Sequence, residues 1–141
     1  MAKHVLTNAE VLVNAVDLSD HVSSVTIETS RPEVDVTSMG ATNQEFIPGL
    51  GDATITISFF QDFASGKTHQ TLQPLAASST PFNVWIKPDK AAAISTTNPQ
   101  IQMSSLLYTY NPLAATVGEA NTFDAVFRNA SQTGVVYDTT P

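Results

Sequence analysis

Apolar and polar residues alternate with a period of two along most of the chain. Val25 and Ile27 alternate with Thr26 and Glu28, and Ile55, Ile57 and Phe59 alternate with Thr54, Thr56, Ser58 and Phe60. Phe82, Val84 and Ile86 keep the pattern up to Pro88, Ile101 and Met103 restart it on the way to Tyr110, and Phe123, Ala125 and Phe127 close it. A period of two places every second side chain on one face of a pleated strand, so each stretch reads as a strand with one buried face. Glu10-Val11-Leu12-Val13 forms a further strand, ended by a turn at Asn14-Ala15.

The rhythm breaks in a few places. Val25 and Ile27 occupy odd positions, whereas Val34 and Val36 occupy even ones, with Ser30-Arg31-Pro32 between them. One strand cannot change parity without turning its core face outward, which predicts a turn or bulge at Pro32. Residues 39–51 hold Gly40, Gly49, Gly51 and Pro48 and read as a long loop. That loop also carries Met39, Phe46, Ile47 and Leu50, which a merely solvated loop does not need. Residues 67–79 are the one helical candidate, with Leu72, Leu75, Ala76 and Ser79 on one face and Pro74 placed to kink or shorten it. Lys90–Asn98 reads as a soft loop, Asn111-Pro112 opens another, and Gly134–Pro141 reads as an extended arm. The sum is seven or eight strands, one helix and two long loops. It predicts a mainly β fold, a sandwich or flattened barrel of antiparallel strands with one flanking helix, as a single domain over residues 1–141.

Composition narrows the chemistry. The chain has 141 residues and is 42% hydrophobic, enough to bury a core without disulfides. There is no cysteine, which excludes disulfides, zinc–thiolate sites and a cysteine nucleophile. The formal net charge is −7. Lys3, Arg31, Lys67, Lys87, Lys90 and Arg128 are scattered and form no stripe, so tight binding of nucleic acid is not expected. No apolar run approaches the roughly 20 residues that span a bilayer. Asn8, Glu10 and Asn14 interrupt any secretory leader, so the cytoplasm is the expected site of synthesis.

No constellation of catalytic residues stands out. His4, His21 and His69 are far apart and lack a paired metal spacing, and a Gly-x-Ser-x-Gly elbow is missing. Asp17 and Asp20 suit a turn, and Glu33 and Asp35 suit a solvated strand face. Gly49-Leu50-Gly51 precedes a strand rather than a helix, so it cannot cradle a phosphate. Asn129-Ala130-Ser131 matches a glycosylation sequon by chance. The expectation is a protein without catalytic residues, cofactor or metal.

Several segments nevertheless carry a resemblance. Glu10 to Ser19, Val22 to Glu28, Glu33 to Gly40, Phe46 to Asp52 with Thr54 to Ile57, His69 to Leu72 and Phe82 to Ile86 together resemble the tail tube proteins of long-tailed bacteriophages. That family is related to the inner tubes of contractile tails and of type VI secretion. Pro74 inside the helix departs from its pattern.

The resemblance implies a subunit that assembles with itself into stacked rings, usually of six, forming a hollow conduit for DNA. Its other partners would be the tape measure, the tail terminator and further tail proteins. It would reside in the virion tail, and in the host cytoplasm during assembly, with DNA only in transit and no membrane. The expected inter-ring contacts are Met39, Phe46, Ile47 and Leu50. The expected lumen-facing residues are Thr26, Glu28, Glu33, Asp35 and Thr37. The alternatives are a tail terminator or capsid decoration protein, or a ligand-binding β-sandwich module, for which Trp85 is the single tryptophan available.

Overall fold

The alternating segments become strands that share one buried face. The computed structural model describes Lys3 and residues 5–140. Its strands are β1 (Glu10–Val13), β2 (Val16–Asp17), β3 (Val22–Ser30), β4 (Glu33–Asp35), β5 (Phe46–Pro48) and β6 (Asp52–Phe60), then β7 (Phe82–Lys87), β8 (Gln100–Thr109), β9 (Thr122–Asn129) and β10 (Val135–Asp138). One helix, α1 (Thr68–Ala76), lies between β6 and β7, and a short 3-10 turn over Ser19–His21 precedes β3. The main sheet runs β2-β1-β7-β8-β9-β6-β3, and β4 and β5 form a separate two-stranded sheet. Every pairing between these strands is antiparallel. The mainly β class with one helix is therefore as the sequence predicts.

The core collects the apolar parity of each strand. Val11, Val13, Ile55, Ile57, Phe59, Val84, Ala125 and Phe127 are wholly buried. Phe59 stacks on Phe123 with ring centroids 5.7 Å apart, and Phe82 meets Phe127 edge-on at 5.9 Å. Each large side chain buried this way contributes about 1.5–3 kcal/mol.

The helix is shorter than 67–79 and buries only part of the expected stripe. Thr68, Leu72 and Leu75 are buried, while Ala76 is exposed and Ser79 is exposed beyond the helix end. Pro74 explains the length: it has no N–H to return to the Gln70 carbonyl, and the helix stops two residues later. Thr68 completes the stripe because its hydroxyl donates to the Phe60 carbonyl at 3.2 Å, which allows a polar group into the core.

Three other expectations need correcting. Among the described residues ten strands form rather than seven or eight, because β2, β5 and β10, of two to four residues, read in the sequence as turn, loop and arm. The segment 39–51 is not a continuous loop: Phe46–Pro48 pairs with Glu33–Asp35. The segment 134–141 is extended, but Val135–Asp138 pairs with Met103–Gln100 of β8 rather than standing free. β9 and β10 lie in line on the same edge of β8, opposite β7, so one ten-residue strand organises three others. His4 and Pro141 lie outside the described residues.

Two loops show how side chains replace the ladder. Buried Asn98 donates to the carbonyls of Asp89, Ala92 and Ala93 and accepts from the Asp89 N–H at 3.0 Å, which closes the soft loop 90–98. Asn14 and Ala15 form the predicted turn with φ of 50° and 67°. The left-handed region suits Asn but not Ala, whose Cβ crowds the following carbonyl at a cost of about 1–2 kcal/mol. Ala15→Gly should therefore stabilise the fold by about 1 kcal/mol and raise the melting temperature by roughly 2–4 °C. Thermal unfolding followed by circular dichroism measures this, and a fall in melting temperature would show that the turn does not hold Ala15 at positive φ.

Candidate functional site

Residues 31–51 leave the main sheet as an arm. β3 ends at Ser30, opposite Asp52, and β4 and β5 continue the hairpin outward with Val34 opposite Ile47 and Asp35 opposite Phe46. This is where the parity change at Pro32 goes: the chain passes into a second sheet, so β3 keeps Val25 and Ile27 inward while Val34 and Val36 are exposed on the arm. Gly49 donates its N–H to the Pro32 carbonyl at 2.8 Å, which joins the two strands at the root. A Cβ on Gly49 would lie 2.8 Å from Pro32 Cγ and 3.3 Å from Val34 Cγ2, so only glycine fits. Near the tip, the Val36 N–H donates to the Glu45 carbonyl at 3.0 Å, and Thr37 Oγ1 accepts the Glu45 N–H at 2.8 Å. Asp35 caps the same bend by accepting the Thr37 N–H, and hydrogen bonds from Thr37 hold its carboxyl below the usual range.

The arm is apolar on both faces. Val34 and Ile47 lie on one face, and Phe46 lies on the other with Glu33 and Asp35. Phe46 and Ile47 are each 48% exposed, Leu50 is 91% exposed and Met39 is fully exposed, and none of them joins the core cluster. Phe46 and Ile47 therefore lie outside the core of their own domain.

The five residues expected to face the lumen are divided between the main sheet and the arm. Thr26 and Glu28 lie on the outer face of β3, opposite Thr56 and Thr54. Glu33, Asp35 and Thr37 belong to the arm. What sequence reasoning missed is that the outer face of β3 continues across β6 and β9, adding Thr54, Thr56, Ser58, Asp124, Val126 and Arg128. Their alternation was visible in the sequence, but only strand register shows that they adjoin. Arg128 reaches Asp52 at 3.1 Å and Ser58 bonds Asp124 on this face. Among the described residues β3 has β6 as its only sheet partner, so one edge of a nine-residue strand keeps its backbone groups free.

Two clefts flank these features. One of about 540 Å³ lies at the arm root, lined by Arg31, Leu50, Asp52, Gln132, Val135 and Tyr137 among others. Another of about 360 Å³ separates residues 6–9 from the start of β3. Neither gathers a nucleophile with a base. Among the described residues no group of three His, Asp or Glu side chains could hold a metal ion, and no helix is long and apolar enough to cross a membrane. Trp85 is half-buried on β7 opposite Leu12 and Gln102, rather than part of an exposed aromatic platform. His69 Nδ1 meets the Tyr110 hydroxyl at 2.6 Å, and Asp17 pairs with Lys90 at 2.6 Å. Burial raises the Asp17 carboxyl, but hydrogen bonds from Lys90 and Ser19 outweigh it and bring its pKa down to about 2.

No family profile matches the sequence, and no curated protein is similar to it. Solved structures do share the fold. A chain in the virion of a native gene transfer agent particle superposes with a TM-score of 0.72 at 12% identity, covering 94% of this chain and 96% of its own length. A chain from the tail of an empty gene transfer agent particle, refined with C6 helical symmetry, gives 0.67 at 11% identity over 84% and 83%. A chain of the anti-feeding prophage baseplate, six-fold symmetrised, gives 0.51 at 12% identity over 98% and 94%. The likeness at these identities is one of fold.

Gly49→Ala should spread the arm at its root and leave the core intact. The expected result is faster amide exchange at residues 33, 34, 47 and 49 with a melting temperature within about 2 °C of the parent, since surface changes away from the core usually stay within ~0.5 kcal/mol. Unchanged exchange there would mean that the root tolerates a Cβ.

Proposed function

We propose that the protein is a structural subunit of a phage-like tail tube, which assembles with itself into stacked rings around a channel for DNA and has no catalytic role. The observation that carries this reading is the fold shared, over nearly the whole of both chains, with a chain of a gene transfer agent virion. The six-fold symmetry of the other two particles supports a ring of six.

The geometry gives each surface a task in that reading. The free edge of β3 pairs with a strand of the neighbouring subunit, which removes an edge that would otherwise invite disordered association. The arm projects toward the next ring, and Met39, Phe46, Ile47 and Leu50 bury against it. The outer face bearing Thr26 and Glu28, enlarged by β6 and β9, faces the channel. Glu33, Asp35 and Thr37 then belong to the inter-ring contact rather than to the lumen. An acidic, hydroxyl-rich wall repels phosphate and lets DNA pass without tight binding. Tape measure, tail terminator and other tail proteins are the remaining partners, with the virion tail as the location and the host cytoplasm as the place of assembly. A tail terminator or decoration protein of the same fold would form rings that do not stack into tubes.

Electron microscopy of concentrated protein, and of the native particle, tests the assembly: rings and tubes support the reading, and their absence from both defeats it. Replacing Phe46 and Ile47 together with Ser should abolish tube growth and leave the melting temperature nearly unchanged, because neither side chain is in the core. A loss of several degrees, with tubes still forming, would return the arm to a purely internal role. In a binding assay at physiological salt, duplex DNA should show no sub-micromolar, salt-sensitive complex.

A further inference from the structure

The start of β3 is held by an arrangement that the assembly reading does not use. His21, the residue before β3, is partly buried and sits between two carboxylates: Nδ1 lies 2.9 Å from Asp20 Oδ1 and Nε2 lies 2.9 Å from Asp62 Oδ2. A neutral imidazole has one N–H and one lone pair, so it can satisfy only one carboxylate and must point a lone pair at the other. The imidazolium donates from both nitrogens and satisfies both. Asp62 lies just beyond β6, and its carbonyl accepts the His69 N–H at 3.0 Å, which ties it to the first turn of α1. The imidazolium therefore bridges the entry of the free-edged strand to the β6–α1 connection, next to the register shift between Val22 and Ser24.

We propose that His21 is a pH-operated latch on the start of β3, closed when its ring is charged between Asp20 and Asp62 and released when the ring loses its proton. Burial lowers the imidazole pKa, but hydrogen bonds to Asp62 and Asp20 outweigh it and leave it raised above 6.5. The His21 bond is the main cause that lowers Asp20, whereas Asp62 is lowered first by the Ala64 N–H and then by His21. Lys67, at the start of α1, lowers both carboxylates further, and Lys90 feels the Asp20 charge. The His69 ring is engaged with Tyr110 instead. A raised histidine pKa contributes stability fully below 6.5 that is lost as pH rises through the folded value. The lowered carboxylates contribute above 3.8 and are lost as pH falls through theirs. The latch is thus closed in mildly acidic solution and opens as pH rises through the raised His21 value.

The test follows the His21 ring by NMR in the isolated chain, together with amide protection factors from pH 5.5 to about 9, a range that brackets the ordinary histidine value. The expected result is a titration above 6.5, with protection of residues 22–24 and 62–64 falling through the same midpoint, at most tenfold for each unit of displacement. Asp62→Asn keeps an acceptor for the Ala64 N–H but removes the charge, and should bring the His21 midpoint down toward the ordinary value. His21→Asn should hold protection at the released level across the whole range, below the parent only under the His21 midpoint, and remove its pH dependence. If that variant does not fold, Asp62→Asn carries the test alone. A His21 midpoint at or below 6.5, no movement of it in Asp62→Asn, or protection at residues 22–24 that ignores the titration would each overturn the latch.

Discussion

The pairing of β6 on both of its edges is the constraint on which the rest of the molecule depends. β6 meets β3 from Val22 to Ser30 on one side and β9 from Thr122 to Arg128 on the other. Its inward residues Ile55, Ile57 and Phe59 are fully buried, so its register decides which residues of both neighbours face the core. A slip of one residue would turn all three toward water and bring Thr54, Thr56 and Ser58 inside without partners. Phe59 also fixes Phe123 by stacking, and Tyr110 packs edge-on against Phe123 at 5.2 Å. Through Tyr110 and His69 that register reaches the helix.

The same strand ends in the arm, and there the physics reverses. Over β3 and β6 the hairpin buries one face; beyond Pro32 and Gly49 it has no layer beneath it, and its side chains are exposed on both faces. A two-stranded ribbon is marginally stable alone. The arm is held by local devices: the Gly49–Pro32 bond, the Asp35 cap and the doubly used Thr37 hydroxyl. Apolar residues at such positions cost solubility in an isolated chain unless something covers them. In the tube reading the neighbouring ring covers them, and burial of two or three large side chains per subunit, at about 1.5–3 kcal/mol each, outweighs the repulsion between acidic rings. Salt within a Debye length of about 8 Å reduces that repulsion further.

The two clefts lie at the arm root and between the N-terminal segment and β3, and some of their polar groups are engaged within the chain. Asp52, at the first, bonds Arg128; Ser19, at the second, bonds Asp17 and Val11. Among the described residues no buried side-chain nitrogen or oxygen lacks a partner, so no orphaned group points to a missing ligand.

The sequence by itself determined the mainly β class, the strands β1, β3, β6, β7, β8 and β9, the turn at Asn14-Ala15 and the break at Pro32. Each of these rests on short-range rules: the pleat makes period two visible in one segment, and a turn or a parity change is written in adjacent residues. The sequence also marked Met39, Phe46, Ile47 and Leu50 as out of place in a solvated loop. Tertiary structure alone decided the rest. Strand register joined the outer faces of β3, β6 and β9 and divided Thr26 and Glu28 from Glu33, Asp35 and Thr37. Contacts across 41 residues set Asp62 against His21 and Tyr110 against His69. Short strands such as β5 and β10 exist because a partner strand completes their hydrogen bonds, and a partner elsewhere in the chain leaves no periodic trace in the strand it stabilises.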